Sequence, residues 1–191
     1  MELLELKGLE SLDELLKLLK QKQSTEIEIG SGNGHFVVEY GLKHKKKHIV
    51  CIEYKKKRCQ KILKKIKGRD LTNIIIFCVR AEQLLSHLPC SSIDKYHIYF
   101  PDPWPKTNHR RRRFFRMPNL DLLNHSLIQG GNIYFATDFF DYYFQAKILC
   151  LLHSGFRLSN DKIPLEVYTS VYSKKIFNAK KKIYMLSVIK S

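Results

Sequence analysis

The sequence predicts an α/β fold built around a mostly parallel sheet. Short apolar runs rich in β-branched residues alternate with longer stretches whose apolar residues recur at helical spacing. Strands that alternate with helices form parallel sheets covered on both faces. The last apolar run, Lys182 to Ile189, has no helix after it and is therefore predicted to be an antiparallel strand.

The pattern assigns five further strands and six helices. Predicted strands cover Glu26–Ile29, Ile49–Ile52, Asn73–Val79, Lys95–Phe100 and Gly131–Ala136. Predicted helices cover 9–21, His35–Leu42, Lys55–Lys67, Ala81–Leu88, Arg112–Ile128 and Phe139–His153. The length of 191 residues indicates one domain, 1–191, in which residues 1–25 form an N-terminal helical extension.

Charge is the most informative feature of the composition. Lys and Arg number 34 against 18 Asp and Glu, which gives a formal net charge of +16. The cations are clustered in 43–47, 55–58, 61–67 and above all 109–116. Clustered basic charge favours a polyanionic partner such as nucleic acid. Residues 61–67 could also suit an anionic membrane surface, but they fit better as an outer helix of the sheet.

Several classes of protein are disfavoured. No apolar run approaches the roughly 20 residues that a membrane-spanning helix needs, and the N-terminus lacks the features of a signal peptide. The five cysteines are scattered and never form a Cys-x-x-Cys pair, and no histidines show ligand spacing. We therefore expect a cytoplasmic protein without a metal site.

The first motif lies between a predicted strand and a predicted helix and reads Glu-Ile-Gly-Ser-Gly-Asn-Gly, from Glu28 to Gly34. Glycines at such a turn let a ligand approach backbone N–H groups. The next strand ends in Glu53, where a carboxylate can accept hydrogen bonds from a ribose diol. A nicotinamide cofactor could use the same pair, but its glycine spacing is Gly-x-Gly-x-x-Gly. A purely structural turn is the simpler alternative.

The second motif follows the fourth predicted strand and reads Tyr-Phe-Pro-Asp-Pro-Trp-Pro-Lys, from Tyr99 to Lys106. Three prolines within five residues fix a rigid loop around Asp102, at the carboxyl end of the sheet, where ligands bind in such folds. Trp104 offers a flat surface for a base, and a run of basic residues follows at 109–113.

These motifs together resemble the tRNA (guanine-N7-)-methyltransferase family. The Phe-Pro-Asp-Pro-Trp-Pro-Lys segment with its following basic run is the most specific match, and the similarity extends from about Glu26 to Leu186. The resemblance implies a Rossmann-like S-adenosylmethionine-dependent methyltransferase with a seven-stranded sheet and an antiparallel C-terminal strand. It implies methylation of N7 of a guanosine in tRNA, forming N7-methylguanosine at position 46 of the variable loop.

The resemblance also assigns roles to particular residues. It implies that Asp102 lies at the catalytic centre, next to the cofactor, and that the cofactor is held by Glu28, Gly30, Gly32, Glu53 and Arg80. It implies that Lys106 and Asp138 contact the target nucleotide. Because they follow the catalytic loop, the arginines of the basic run are expected to hold tRNA phosphates, namely Arg110, Arg111 and Arg113. Alternatively, some of these arginines face the protein and pair with acids.

Three positions depart from the family pattern. Arg80 replaces an Asp, so the adenine contact could come from backbone or from Glu82. Asn33 replaces a Lys in the glycine loop. A Thr-x-x-Glu element aligns with Ser-Val-Tyr-Ser at 170–173, so either Glu166 substitutes for the missing carboxylate or the guanine is held more loosely.

The proposed chemistry needs few catalytic groups. Guanine N7 carries a lone pair and no proton, so positioning and charge stabilisation by carboxylates suffice. A methyltransferase of the same fold acting on another RNA or small substrate, and a non-catalytic RNA-binding module, remain as alternatives. A monomer and a homodimer are both compatible with the sequence.

Overall fold

The computed structural model describes residues 9–21 and 23–191. Within them one seven-stranded sheet is flanked by helices. The strands are β1 (Thr25–Ile29), β2 (His48–Ile52), β3 (Ile74–Phe77), β4 (Ile93–Tyr99), β5 (Leu127–Thr137), β6 (Phe156–Leu158) and β7 (Tyr184–Lys190). The α-helices are α1 (Leu9–Leu19), α2 (His35–Lys43), α3 (Lys56–Lys67), α4 (Ala81–Leu85), α5 (Met117–Ser126), α6 (Phe140–Leu152) and α7 (Val171–Asn178).

The strand order β3-β2-β1-β4-β5-β7-β6 places β1 and β4 side by side at the centre of the sheet. Strands β1 to β5 pair in parallel, and Ile29 at the end of β1 is in register with Ile98 near the end of β4. Strand β7 pairs antiparallel with β5 and β6, as predicted for the last strand. The order of strands reverses between β1 and β4, where α/β sheets open a ligand crevice at the carboxyl ends.

Two apolar clusters fill the two faces of the sheet. Alternate residues of a strand point to opposite faces. Accordingly, Ile27 and Val50 belong to one cluster, and Ile49 and Cys51 belong to the other. Helix α1 contributes Leu12 and Leu15, which are buried in the first of these clusters.

The structure corrects the predicted boundaries after the second motif. Helix α5 begins at Met117 instead of Arg112, with a proline in its first turn. The basic run before it forms a short 3-10 helix, Thr107–Arg112. Strand β5 begins earlier than predicted, at Leu127, and includes an irregularity near Gly130, whose φ is 74°. The pattern assigns neither strand β6 nor helix α7, which both lie between α6 and the last strand.

Candidate active site

The glycine loop connects β1 to α2, and its backbone borders open space. Gly30, Gly32 and Gly34 all have positive φ, which glycine adopts without steric cost. A Cβ on Gly34 would lie 2.8 Å from Cγ1 of Ile62, so this glycine lets α2 approach α3. A Cβ on Gly30 would meet no atom within 4 Å. The first glycines of the loop thus border a cavity, whereas the third serves packing.

Glu53 is tied to this loop. Its side chain is buried, and its carboxylate accepts hydrogen bonds from the backbone N–H of Gly32 at 3.0 Å and of Lys55 at 2.9 Å. Arg58 lies 3.5 Å from the same carboxylate, a contact that the sequence did not predict. Because a carboxylate offers about four lone-pair positions, Glu53 can still accept a hydrogen bond from a ligand. The acid at the end of β2 therefore holds the loop in place and faces a cavity.

Two cavities meet beside the glycine loop. One, which we call the Glu28 cavity, has a volume of about 360 Å³ and is lined by Glu28, the loop glycines, Tyr99 and Tyr172. The other, the Glu53 cavity, has a volume of about 220 Å³ and is lined by Glu53, Tyr54, Arg80 and Trp104. Gly30 and Asp102 line both cavities.

Glu28 is an unsatisfied carboxyl at the back of its cavity. The residue is 5% exposed, and its Oε2 atom has no hydrogen-bond partner among the described residues. Burial raises the pKa of Glu28 from 4.5 to about 8, against a hydrogen bond from Ser31, and the negative charge of Glu53 raises it further. A buried acceptor without a partner is costly, and a cationic ligand group would satisfy it.

The loop after β4 holds Asp102 between the two cavities. Phe100 and Trp104, on either side of Asp102, have φ of 49° and 42°, a left-handed conformation that is strained for aromatic residues. The loop is fastened at both ends. The N–H of Phe100 donates to the carbonyl of Ala136 at 2.7 Å, and Nε of Arg113 donates to the carbonyl of Pro103 at 2.7 Å. Strain of this kind persists only where the surroundings impose it, as they do around functional groups.

The basic run separates into three faces, because a 3-10 helix repeats every three residues. Arg110 and Arg113 share the face toward α6, where both contact Asp141, at 3.1 and 2.7 Å. Arg112 covers the ring of Trp104, with its guanidinium carbon 4.9 Å from the ring centroid. Arg111 is exposed on the third face.

The burial of Arg113 contradicts the prediction that it contacts tRNA phosphates. The residue is 1% exposed, and its guanidinium also hydrogen-bonds Gln145 and stacks over Tyr142. A guanidinium that is buried and bound to groups inside the protein cannot reach a phosphate at the surface. Arg113 instead positions the loop that carries Asp102, because its Nε donates a hydrogen bond to the carbonyl of Pro103. Arg110 is about half exposed, while Lys106 and Arg111 are exposed.

Asp138, at the end of β5, contacts Tyr172, for which the sequence analysis predicted no role. Tyr172 donates a hydrogen bond to its carboxylate at 3.2 Å and packs edge-on against Phe100. Burial and the charge of Asp138 raise the pKa of Tyr172, and Asp102 adds to the shift. Asp138, Tyr172 and Asp102 therefore lie close together. The signal for Tyr172 was weak, since a tyrosine in a short helix is usually a surface residue.

Glu166 lines neither the Glu28 cavity nor the Glu53 cavity. It is buried and pairs with Lys43 at 2.6 Å, and the hydrogen bond from Lys43 lowers its pKa despite burial. The Glu28 cavity is lined at this point by Ser170 and Tyr172. Ser170 itself caps α7, accepting a hydrogen bond from the N–H of Ser173 at 2.9 Å.

Arg80 and Glu82 both border the Glu53 cavity. The backbone N–H of Arg80 donates to Oε1 of Gln83 at 3.1 Å, and its guanidinium lies over the ring of Tyr54. Glu82 accepts a hydrogen bond from Asn119 at 3.3 Å. The N–H of Arg80 is therefore already used, whereas both side chains border the cavity.

Comparison with known proteins gives a family and a fold. The model of a family described as "Putative methyltransferase" matches residues 22–186. The chain is 39% identical over 135 residues to a tRNA (guanine-N(7)-)-methyltransferase of Nitrosomonas eutropha, covering 70% of this chain and 59% of that protein. A tRNA (guanine-N(7)-)-methyltransferase of Nitrosococcus oceani is 32% identical over 149 residues, covering 77% and 63%. The chain thus spans about three fifths of the length of these relatives.

Among solved structures, the 16S rRNA methyltransferase KamB superposes with a TM-score of 0.68 at 14% identity, covering 94% of this chain and 93% of that chain. At this identity the likeness shows the fold alone, which is that of Rossmann-like S-adenosylmethionine-dependent methyltransferases. With the family model matching nearly its whole length, the chain belongs to this methyltransferase family.

Two further findings concern membranes and metals. In residues 9–21 and 23–191, no helix has the length and apolarity to cross a membrane. Nor do the histidines, cysteines and acids of this part of the chain form a group of three that could hold a metal ion. All five cysteines are free thiols, and three of them are buried.

Proposed function

We propose that this protein transfers the methyl group of S-adenosylmethionine to N7 of a guanosine in tRNA, at position 46 of the variable loop. The observation that carries the proposal is the position of Asp102, which lines both the Glu28 cavity and the Glu53 cavity. The names of the relatives from Nitrosomonas eutropha and Nitrosococcus oceani support guanosine N7 and tRNA as the target.

The residues of the two cavities fit this cofactor. The unpartnered Oε2 of Glu28 suits the ammonium of the methionine part, since a buried carboxyl is satisfied by a cation. Open space over Gly30 admits a ligand against the backbone. Glu53 would accept hydrogen bonds from the ribose, and the side chains of Arg80 and Glu82 would border the adenine. When bound, S-adenosylmethionine supplies a methyl group on a sulfonium, which is electrophilic.

The protein's contribution to the reaction is placement and charge. Guanine N7 has a lone pair and no proton, so the chain needs no general base to create the nucleophile. Asp102 and Asp138 would accept hydrogen bonds from guanine N1–H and the N2 amine and would balance the positive charge that develops on the ring. The hydrogen bond between Tyr172 and Asp138 orients one of these carboxylates.

We propose that tRNA is held by the exposed cations next to the catalytic loop. Lys106 and Arg111 project from the protein surface, and Arg110 adds a half-exposed guanidinium beside Asp141. Contacts between such cations and phosphates fix the register of an RNA without reading its sequence.

We further propose that residues 1–191 act as one domain in the cytoplasm. The packing of Leu12 and Leu15 from α1 into a core cluster of the sheet supports a single domain that includes the N-terminal extension. The free thiols are consistent with a reducing compartment.

The deciding experiment is methyl transfer from labelled S-adenosylmethionine to unmodified tRNA, followed by identification of the modified nucleoside. We expect N7-methylguanosine, and none when the variable-loop guanosine is replaced by adenosine. A 16S rRNA fragment serves as a second substrate. Label in that fragment but not in tRNA would refute the substrate, and cofactor binding without transfer to either RNA would refute the activity.

A further inference from the structure

A concave surface outside the two cavities lies between α2 and α3. This groove has a volume of about 690 Å³, and its cations are Lys61, Lys64, Lys65 and Arg69. Glu39 is the acid that lines it, and it lies 3.4 Å from Arg69. The groove therefore carries an excess of positive charge in a concave shape.

The positive charge of the groove is only partly neutralised, by the pairing of Glu39 with Arg69. Burial lowers the pKa of Lys65, and the neighbouring cations Arg69 and Lys61 lower it further. His35 also lines the groove, and burial lowers its pKa. The positive charges of Lys65 and of Lys174 from α7 lower it further. Cations that destabilise each other's charged forms create a positive potential that an anion would relieve.

One of these cations is fixed in position. Nζ of Lys65 donates a hydrogen bond to the carbonyl of Asn33 at 2.7 Å and lies 3.4 Å from Nε2 of His35. Asn33 belongs to the turn between β1 and α2, and His35 begins α2, so the groove begins at the glycine loop. An ammonium held in this way loses less conformational entropy when it binds an anion.

The groove is continuous with the proposed site of methyl transfer. Asn33 and His35 line both the groove and the Glu28 cavity. Asp102 and Pro103 also line the Glu28 cavity and lead directly to Lys106. Cations therefore lie on two sides of the cavity, those of the groove on one side and those of the basic run on the other.

We propose that the groove between α2 and α3 binds the phosphodiester backbone of the tRNA, on the side of the target nucleotide away from Lys106 and Arg111. This inference rests on the proposed function. Two cationic surfaces that flank one cavity would hold the phosphates on both sides of a guanosine whose base enters it. The groove would thereby position the strand without contributing sequence specificity.

The test uses the double variant Lys61→Ala/Lys64→Ala in the full chain. Both lysines are exposed on α3, and alanine favours helix, so folding is retained. Labelled unmodified tRNA is titrated at several salt concentrations. Each phosphate contact contributes about 0.7–0.9 to the slope of log K against log salt, so we expect the slope to fall by about one to two units. Cofactor affinity should be unchanged.

The matched control is Lys45→Ala/Lys67→Ala. These two lysines are also exposed, and the change in net charge is the same, but neither lines the groove. We expect the control to keep the wild-type slope. Methylation at subsaturating tRNA should fall in the groove variant alone and recover at saturating tRNA.

The outcomes separate the two proposals. If the wild type methylates tRNA and the groove variant and control have equal slopes, the groove proposal is wrong and the proposed function stands. If the wild type binds tRNA without methylating it while the groove variant alone loses slope, the groove proposal stands and the function is wrong. Loss of cofactor affinity in the groove variant would assign the groove to the cofactor and overturn the proposal.

Discussion

Replacing Glu28 by glutamine should stabilise the folded protein while weakening cofactor binding. Burial is the main reason that the pKa of Glu28 rises from 4.5 to about 8 in the folded chain. The folded state therefore keeps a proton that the unfolded state releases, and stability is lost as pH rises from 4.5 to 8. Glutamine has a similar shape but does not ionise, so the stability of the variant does not fall in this pH range.

The expected gain in stability follows from the size of the pKa shift of Glu28. Each pKa unit corresponds to 1.36 kcal/mol, so a shift of about 3.5 units gives a ceiling of about 5 kcal/mol above pH 8 and about 3 kcal/mol at pH 7. Well below pH 4.5 both states carry the proton, and the wild type and the variant should be nearly equal in stability. The gain in stability should therefore increase steadily with pH.

Urea unfolding of wild type and Glu28→Gln at pH 5, 7 and 8 measures this difference, and calorimetry with S-adenosylmethionine measures binding. Because the amide carries no negative charge to form an ion pair with an ammonium, the variant should bind S-adenosylmethionine more weakly. The wild type should release a proton on binding at pH 7, detected with buffers of different ionisation enthalpy. A stability difference that does not change with pH would refute the raised pKa, and unchanged cofactor affinity would remove Glu28 from the binding site.

Three further substitutions test the rest of the site. Glu53→Ala should weaken S-adenosylmethionine binding roughly ten- to a hundredfold in calorimetry, because a charge-assisted hydrogen bond contributes about 1.5–3 kcal/mol; unchanged affinity would exclude Glu53. Asp102→Ala should leave stability within about 0.5 kcal/mol, since the residue is exposed, while methyl transfer falls steeply; near-normal turnover would make it only a turn residue. Arg113→Ala should cost about 3 kcal/mol in urea unfolding and also slow methyl transfer, whereas the exposed control Arg111→Ala should cost about 0.5 kcal/mol or less; equal losses would contradict the positioning role.

Local patterns in the sequence predicted most of the fold. The alternation of strands and helices, the glycine turn after β1 and the antiparallel last strand are properties of short segments, and the structure confirms them. The predicted boundaries of helices were wrong where another local structure formed. The basic run forms a 3-10 helix, so α5 begins only at Met117. Strand β6, with three residues, is too short for a periodic pattern, and the pattern assigned no helix to α7 although α7 is longer than α4.

The placement of individual side chains depended on residues distant in sequence. Arg113 looked like its neighbours in the basic run, but its ion-pair partner Asp141 lies 28 positions further along the chain, on α6. Glu28 looked like an ordinary acid of a glycine loop, and its raised pKa arises from burial among residues of other strands and loops. Tyr172 gained its role only through contact with Asp138.

The sequence by itself therefore determined the order of the elements, the two motifs and the chemical character of the site. The tertiary structure decided which charges are buried, which are paired and which surround a cavity. The physical reason is that helix and strand periodicity is set by neighbouring residues, whereas desolvation and ion pairing depend on whatever the fold brings within a few ångströms. The groove between α2 and α3 is the clearest case, because the sequence places its lysines on an outer helix, and only the packing of α2 beside α3 makes them line a concave surface.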